Sequence, residues 1–190
     1  MNDTFAILVV CTGNIARSPM AQRLLQTALA HEPSLQVSSA GTWGHEGSLM
    51  ERHAAAALAE IGIDEGGFRA RALTTPMVRE ADLVLGATRQ HRSAALTHDP
   101  SALRRAFTLR ELARLTALTS VPAVGGEHPA QLARRVVAEA ASARGSTRVA
   151  PELDDVEDPY RASLSVFRRR RDEIAEAVSA IAAALQPRRL

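Results

Sequence analysis

The sequence contains no lysine: all 23 of its basic residues are arginine. It has one cysteine, one tryptophan and one tyrosine, and aromatics are only 3% of its 190 residues. Each scarcity excludes something. Without lysine there is no Gly-Lys-Ser/Thr nucleotide-binding loop. A single cysteine closes no internal disulfide, so the fold requires no oxidising compartment. With so few aromatics the core must rest on Leu, Val, Ile and Ala. The arginines lack interleaved aromatics and face 21 acidic residues, leaving a net charge of +2, which argues against nucleic acid as a partner. There is no run of 18 apolar residues, and the stretch before Cys11 is too short for a signal-peptide core. A cytoplasmic chain without membrane insertion is expected.

What is present is ordinary globular material: 46% apolar and 23% charged residues, and a length that suits a single domain over 1–190. Phe5–Val10 is a continuous β-branched-rich run, the pattern of a strand buried on both faces. Further strands are expected at Leu35–Ala40, Asp82–Gly86 and 106–109. Helical spacing marks Pro19–Ala30, Met50–Ile61, Pro76–Ala81, Arg89–Leu96, Arg110–Leu115 and Ser163–Leu185. Pro129–Arg144 reads as another helix, with proline at its first position. Alternating strands and helices predict a parallel sheet with helices on both faces, and such sheets place their ligand sites at the C-terminal ends of the strands.

Cys11 stands at one such end, in the stretch Val10-Cys11-Thr12-Gly13-Asn14-Ile15-Ala16-Arg17-Ser18-Pro19. Most free cysteines are small buried hydrophobes. A Cys-x5-Arg segment between a strand and a helix does more. It can wrap into a cup of inward-facing backbone N–H groups, with Gly13 and Asn14 tolerating the left-handed angles this needs. The following helix adds its positive end, completing an anion nest. A cysteine in that nest is favoured as the thiolate, a nucleophile at neutral pH. Arg17 can fork onto two phosphoryl oxygens. Ser18 can donate a hydrogen bond to the sulfur. Cleaving a phosphate ester also requires an acid to protonate the leaving group. The acidic cluster DDVEDPY (154–160) offers Asp154, Asp155, Glu157 and Asp158, and the residues alone do not choose among them.

These two motifs, one near each end of the chain, resemble the low-molecular-weight protein tyrosine phosphatases. The stretches SSAGTWGHEG (38–47) and ARALT to ADLVLGATRQHR (70–92) are similar too. The resemblance implies a three-layer α/β fold with a four-stranded parallel sheet. It implies phosphotyrosine hydrolysis through a phospho-cysteine, without cofactor or metal; the six histidines show no metal-ligand spacing. It implies that Cys11 is the nucleophile, Arg17 the phosphate clamp, and Asp158, which precedes Pro159-Tyr160, the general acid and later base. Thr12, Gly13, Asn14, Ile15, Ala16 and Ser18 form and support the phosphate loop. Trp43 and Tyr160 wall the substrate cleft. The implied partner is a phosphotyrosine-bearing protein, a bacterial tyrosine kinase among the candidates.

The sequence departs from this pattern in places. Many relatives carry a second loop cysteine where Ala16 stands, so Cys11 has no partner to guard it from oxidation. Arg161 replaces an aromatic found in some relatives, which widens the cleft or favours acidic peptide. Phe68 stands where some relatives have a supporting histidine, leaving Asn14 to be oriented by Ser39 or other groups. The segment around 116–150 is longer than the pattern requires. Arg168–Arg171 reads as a solvated helix face. Two alternatives stand beside phosphotyrosine hydrolysis. Protein-arginine phosphatases of this fold tend to have Thr where Ile15 stands, and a non-catalytic phospho-binding module would keep only part of the Cys, Arg, Asp set.

Overall fold

A computed structural model describes residues 3–119, 121–122, 124–145 and 149–187. The chain alternates as expected. Strand β1 (Phe5–Cys11) leads into helix α1 (Arg17–Ala28), then β2 (Leu35–Gly41), α2 (Arg52–Ala59), α3 (Thr75–Glu80), β3 (Leu83–Gly86), α4 (Arg89–His98), β4 (Ala106–Thr108), α5 (Leu109–Leu118), α6 (Pro129–Ala143) and α7 (Leu164–Leu185). Two short 3₁₀ segments, Pro100–Arg104 and Pro151–Asp154, were not expected from the sequence; a proline opens each.

The sheet is wholly parallel, in the order β2-β1-β3-β4. Alternation along β1 splits the core in two. Phe5, Ile7 and Val9 face one layer with α1, α2, α5, α6 and α7, whereas Leu8 and Val10 face the other, with Val78 of α3 and Ala95 of α4. This is the three-layer α/β arrangement. The chain leaves β1 toward β2 on one side and returns to β3 on the other, so the switch point of the sheet lies between the ends of β1 and β3. Cys11 stands at that point.

The helix expected at Pro129–Arg144 is present as α6, capped by His128 with Pro129 at its start. Leu132, Val136 and Val137 bury its inner face. Arginines tie it to the sheet: Arg134 donates to the Thr4 carbonyl at 2.6 Å and pairs with Asp82, at the starts of the central strands β1 and β3, and Arg144, just beyond the helix, lies 4.1 Å over the Phe107 ring of β4. The remainder of 116–150 includes residues 120, 123 and 146–148, which lie outside the described residues. Among the described residues no helix is long and apolar enough to cross a membrane.

The arginine run of α7 is a solvated face only in part: Arg168 and Arg169 are exposed, as expected, and Arg170 is half-buried. Arg171 is buried, donates to the Ala57 carbonyl at 2.8 Å and pairs with Glu60, which also binds Arg168 at 2.6 Å. Arg170 pairs with Glu157 and Glu173. Arg168 and Arg171 tie α7 to the end of α2 through Glu60, and Arg170 ties it to the acidic loop through Glu157.

Candidate active site

The loop 11–17 closes over the end of β1. Asn14 takes the left-handed backbone conformation, with φ 54°, as its side chain permits. Gly13 does not, contrary to expectation. A Cβ there would lie 2.9 Å from Cδ2 of the exposed His45 side chain. Gly41, at the end of β2, lets that strand approach, since a Cβ would stand 2.5 Å from the Thr12 carbonyl oxygen. The chain beyond β2 then lashes the loop from outside: Thr42 N donates to the Cys11 carbonyl, Trp43 N to the Thr12 carbonyl, and His45 N to the Gly13 carbonyl. With its carbonyls engaged outward, the loop can turn its amides inward.

Cys11 is buried, with Sγ 3.0 Å from Ser18 Oγ. The surrounding polar chain has a fixed direction. Arg71 N donates to Asn14 Oδ1 at 2.8 Å, and Asn14 Nδ2 donates to Ser18 Oγ at 2.9 Å and Ser39 Oγ at 2.8 Å. Ser39 in turn donates to Gln22 Oε1. The Ser18 oxygen thus accepts from Asn14, which leaves its hydrogen for the sulfur. Ser39 and the Arg71 backbone orient Asn14, whereas Phe68 packs into the core.

Arg17 opens α1 and is buried. Its Nη1 donates to the Val156 carbonyl at 3.1 Å, and its Nη2 donates to Thr12 Oγ1 at 3.3 Å and Asp158 Oδ2 at 2.7 Å. Nε is buried with no partner among the described residues. A buried guanidinium N–H without an acceptor is costly, and Arg92 and Arg170 leave the same atom unpartnered among the described residues.

The acidic loop is pinned beneath the ends of β3 and β4. Val156 N donates to the Ala87 carbonyl at 2.8 Å, and Thr108 Oγ1 donates to the Asp154 carbonyl at 2.6 Å. The four acids that the sequence left open have separate partners. Asp154 binds Arg114, Asp155 accepts the Arg89 backbone N–H at 2.7 Å, and Glu157 pairs with Arg170. Asp158 alone of the four reaches Arg17.

Trp43 is 83% exposed and Tyr160 50% exposed, an uncommon state for large aromatics; the Trp43 backbone N–H bonds the Thr12 carbonyl and the Tyr160 backbone N–H bonds Asp158 Oδ1. Arg161, at φ 65°, holds its guanidinium 5.4 Å from the Tyr160 ring centroid. Ile15 is half-buried and supplies only hydrocarbon from the loop. Ala16 is buried, and Cys11 is the chain's one thiol.

Sequence reasoning passed over His91. It is buried, 2.9 Å from Thr12 Oγ1 through Nε2 and 2.7 Å from Thr88 Oγ1 through Nδ1. Burial, reinforced by the Arg17 charge, pushes its pKa down to about 4. The cap pattern Thr88-x-x-His91 at the start of α4 was the available signal.

The model of the family "Low molecular weight phosphotyrosine protein phosphatase" matches residues 6–122. The chain belongs to this family. It is accordingly a phosphatase. The matched span holds the Cys11–Arg17 loop, while the Asp158 loop lies beyond it. The chain is 41% identical over 106 residues to a probable low molecular weight protein-tyrosine-phosphatase, EpsP, of Ralstonia solanacearum, covering 56% of this chain and 71% of the relative. It is 30% identical over 182 residues to a protein-arginine-phosphatase of Geobacillus stearothermophilus, covering 96% of this chain and 97% of the relative. A solved YwlE arginine phosphatase, a Cys-to-Ser mutant with a phosphorylated active-site serine, superposes with TM-score 0.69 at 27% identity, covering 94% of each chain.

Proposed function

We propose that this phosphatase hydrolyses phosphotyrosine on proteins through a phospho-cysteine on Cys11. The carrying observation is the convergence of Cys11, Arg17 and Asp158, from opposite ends of the chain, at the switch point of the sheet. In the first step the Cys11 thiolate attacks phosphorus. The bond from phosphorus to the tyrosyl oxygen breaks, and Asp158 gives its proton to that oxygen. In the second step Asp158, now a carboxylate, takes a proton from water as the water oxygen attacks phosphorus. The S–P bond breaks, inorganic phosphate leaves, and the Ser18 hydroxyl stabilises the returning thiolate. Arg17 Nε and the loop amides hold the equatorial oxygens through both steps. The phosphorylated serine at the active site of the YwlE Cys-to-Ser mutant supports a phosphorylated side chain at the Cys11 position.

Near-full-length similarity to a protein-arginine-phosphatase favours a second reading, phosphoarginine hydrolysis on the same scaffold. A guanidino leaving group carries N–H donors that need acceptors, and Ile15 offers none. Trp43 and Tyr160 suit a flat phenyl ring. These residues favour the aryl ester.

Matched phosphotyrosine and phosphoarginine peptides test the choice: wild type is expected to prefer the former, and I15T to raise the relative rate on the latter. A wild-type preference for phosphoarginine reverses the reading. C11S is expected to abolish turnover, and D158A to lower kcat on phosphotyrosine by about 10²–10⁴-fold, the usual contribution of a general acid.

A further inference from the structure

Thr88 caps α4, accepting the His91 backbone N–H through Oγ1, and the capped turn delivers the His91 ring to the loop. The ring joins two hydroxyls, Thr88 Oγ1 at 2.7 Å and Thr12 Oγ1 at 2.9 Å. Thr12 Oγ1 is also the acceptor for Arg17 Nη2 at 3.3 Å. A guanidinium only donates, so Thr12 must present a lone pair to Arg17. Its own hydrogen is then free for His91 Nε2. A neutral ring with its hydrogen on Nδ1 completes the run toward Thr88. In this polarity every hydrogen points away from the Arg17 cation, and each bond polarises the next. The charged groups acting on the ring are Arg17, Asp158 and Asp155. Arg17 and burial keep it neutral, which preserves the Nε2 lone pair.

We propose that His91 is a positioning residue: it holds the Thr12 hydroxyl so that Thr12 Oγ1 fixes the Arg17 guanidinium in the plane that meets the phosphoryl oxygens. The inference rests on the reading of Arg17 as the phosphate clamp. His91 does not touch the substrate. It acts through Thr12, and its effect belongs to oxyanion binding and transition-state alignment, not to proton transfer.

Two pairs of variants separate this role from a general contribution to folding. H91Q retains a polar atom at the distance of Nε2, and H91N only one at the distance of Nδ1. T12S keeps the hydroxyl, and T12V removes it. The readouts are kcat and KM on an aryl phosphate, the inhibition constant of inorganic phosphate, and the melting temperature. H91N and T12V are each expected to lower kcat/KM and weaken phosphate inhibition by about tenfold or more, the scale of a misaligned reacting group. H91Q and T12S are expected to recover most of both. The double variant H91N/T12V is expected to be no worse than T12V, because both break the same link. Full additivity, or wild-type phosphate inhibition in H91N or T12V, overturns the proposal. If H91N does not fold, the T12V and T12S pair still decides it from the other end of the link. R17K is the control for the underlying reading: if it leaves phosphate inhibition unchanged, the clamp itself is wrong, a failure distinct from that of His91.

Discussion

Arg17 Nη2 and Asp158 Oδ2 meet at 2.7 Å across 141 residues of chain, while Arg17 Nη1 holds the Val156 carbonyl at 3.1 Å. One guanidinium thus joins the Cys11–Arg17 loop to the acidic loop. Lysine has neither the fork nor the reach for both bonds. R17K is expected to lower kcat/KM on phosphotyrosine by about 10²–10³-fold, the cost of a lost transition-state donor. Amide exchange at Val156 should rise in the same variant, and unchanged protection there would contradict the joining role.

Asn14 combines a left-handed backbone with a branched set of side-chain bonds. The two contributions separate by substitution. N14G accepts φ 54° but loses the bonds, and N14A loses the bonds and adds backbone strain. Both should show the same loss of kcat, because both free Ser18 from its orientation toward Cys11. N14A should unfold about 1 kcal/mol more readily than N14G. Steady-state kinetics with urea denaturation measures both.

Glu111 is a buried carboxylate that bonds Arg92 and Arg144 and closes the capping box with Thr108 at the start of α5. Burial pushes the Arg144 pKa down, and the Glu111 charge opposes that shift. E111A removes the carboxylate that two partly buried guanidinium groups share. A loss of about 3–5 kcal/mol is expected in urea denaturation. Because Thr108 also holds the Asp154 carbonyl, the acidic loop should lose exchange protection as well.

His91 gives stability a specific pH dependence. Its folded pKa is pushed from 6.5 down to about 4, so the unfolded chain takes up this proton first as pH falls. Its contribution is complete above about pH 6.5 and declines as pH falls toward 4. H91Q carries no such group. The urea midpoint of wild type should therefore fall more steeply than that of H91Q between pH 6.5 and 4. Parallel curves would show that the ring titrates normally.

The fold was legible because β1 is apolar on both faces, and Cys11 could be placed at a strand end because the apolar run stops there. Which of the four acids meets Arg17 was not legible from their own residues. Asp154, Asp155, Glu157 and Asp158 lie within five positions, and what separates them are partners 13 to 141 residues away. The same reason hid Arg168 and Arg171, whose Glu60 partner is more than a hundred positions distant. Gly13 and Asn14 were equally suited to a left-handed turn by residue type. Only Asn14 takes that conformation, because the fold sets one such turn there and residue type does not say which position holds it. His91 was overlooked because the Thr88-x-x-His91 cap pattern gives no sign of its second partner, Thr12, which lies 79 positions away.

The central claim is that Cys11 carries the phosphoryl group between the two steps. D158A removes the base for the second step, whereas an aryl phosphate with a good leaving group can still complete the first. Rapid mixing of D158A with such a substrate, followed by acid quench and peptide mass spectrometry, tests this directly. A burst of phenol equal to one enzyme equivalent, with the phosphoryl group on the Cys11 peptide, is the predicted result. Turnover with no burst and no phosphorylated Cys11, or a phosphoryl group on any other residue, would contradict it.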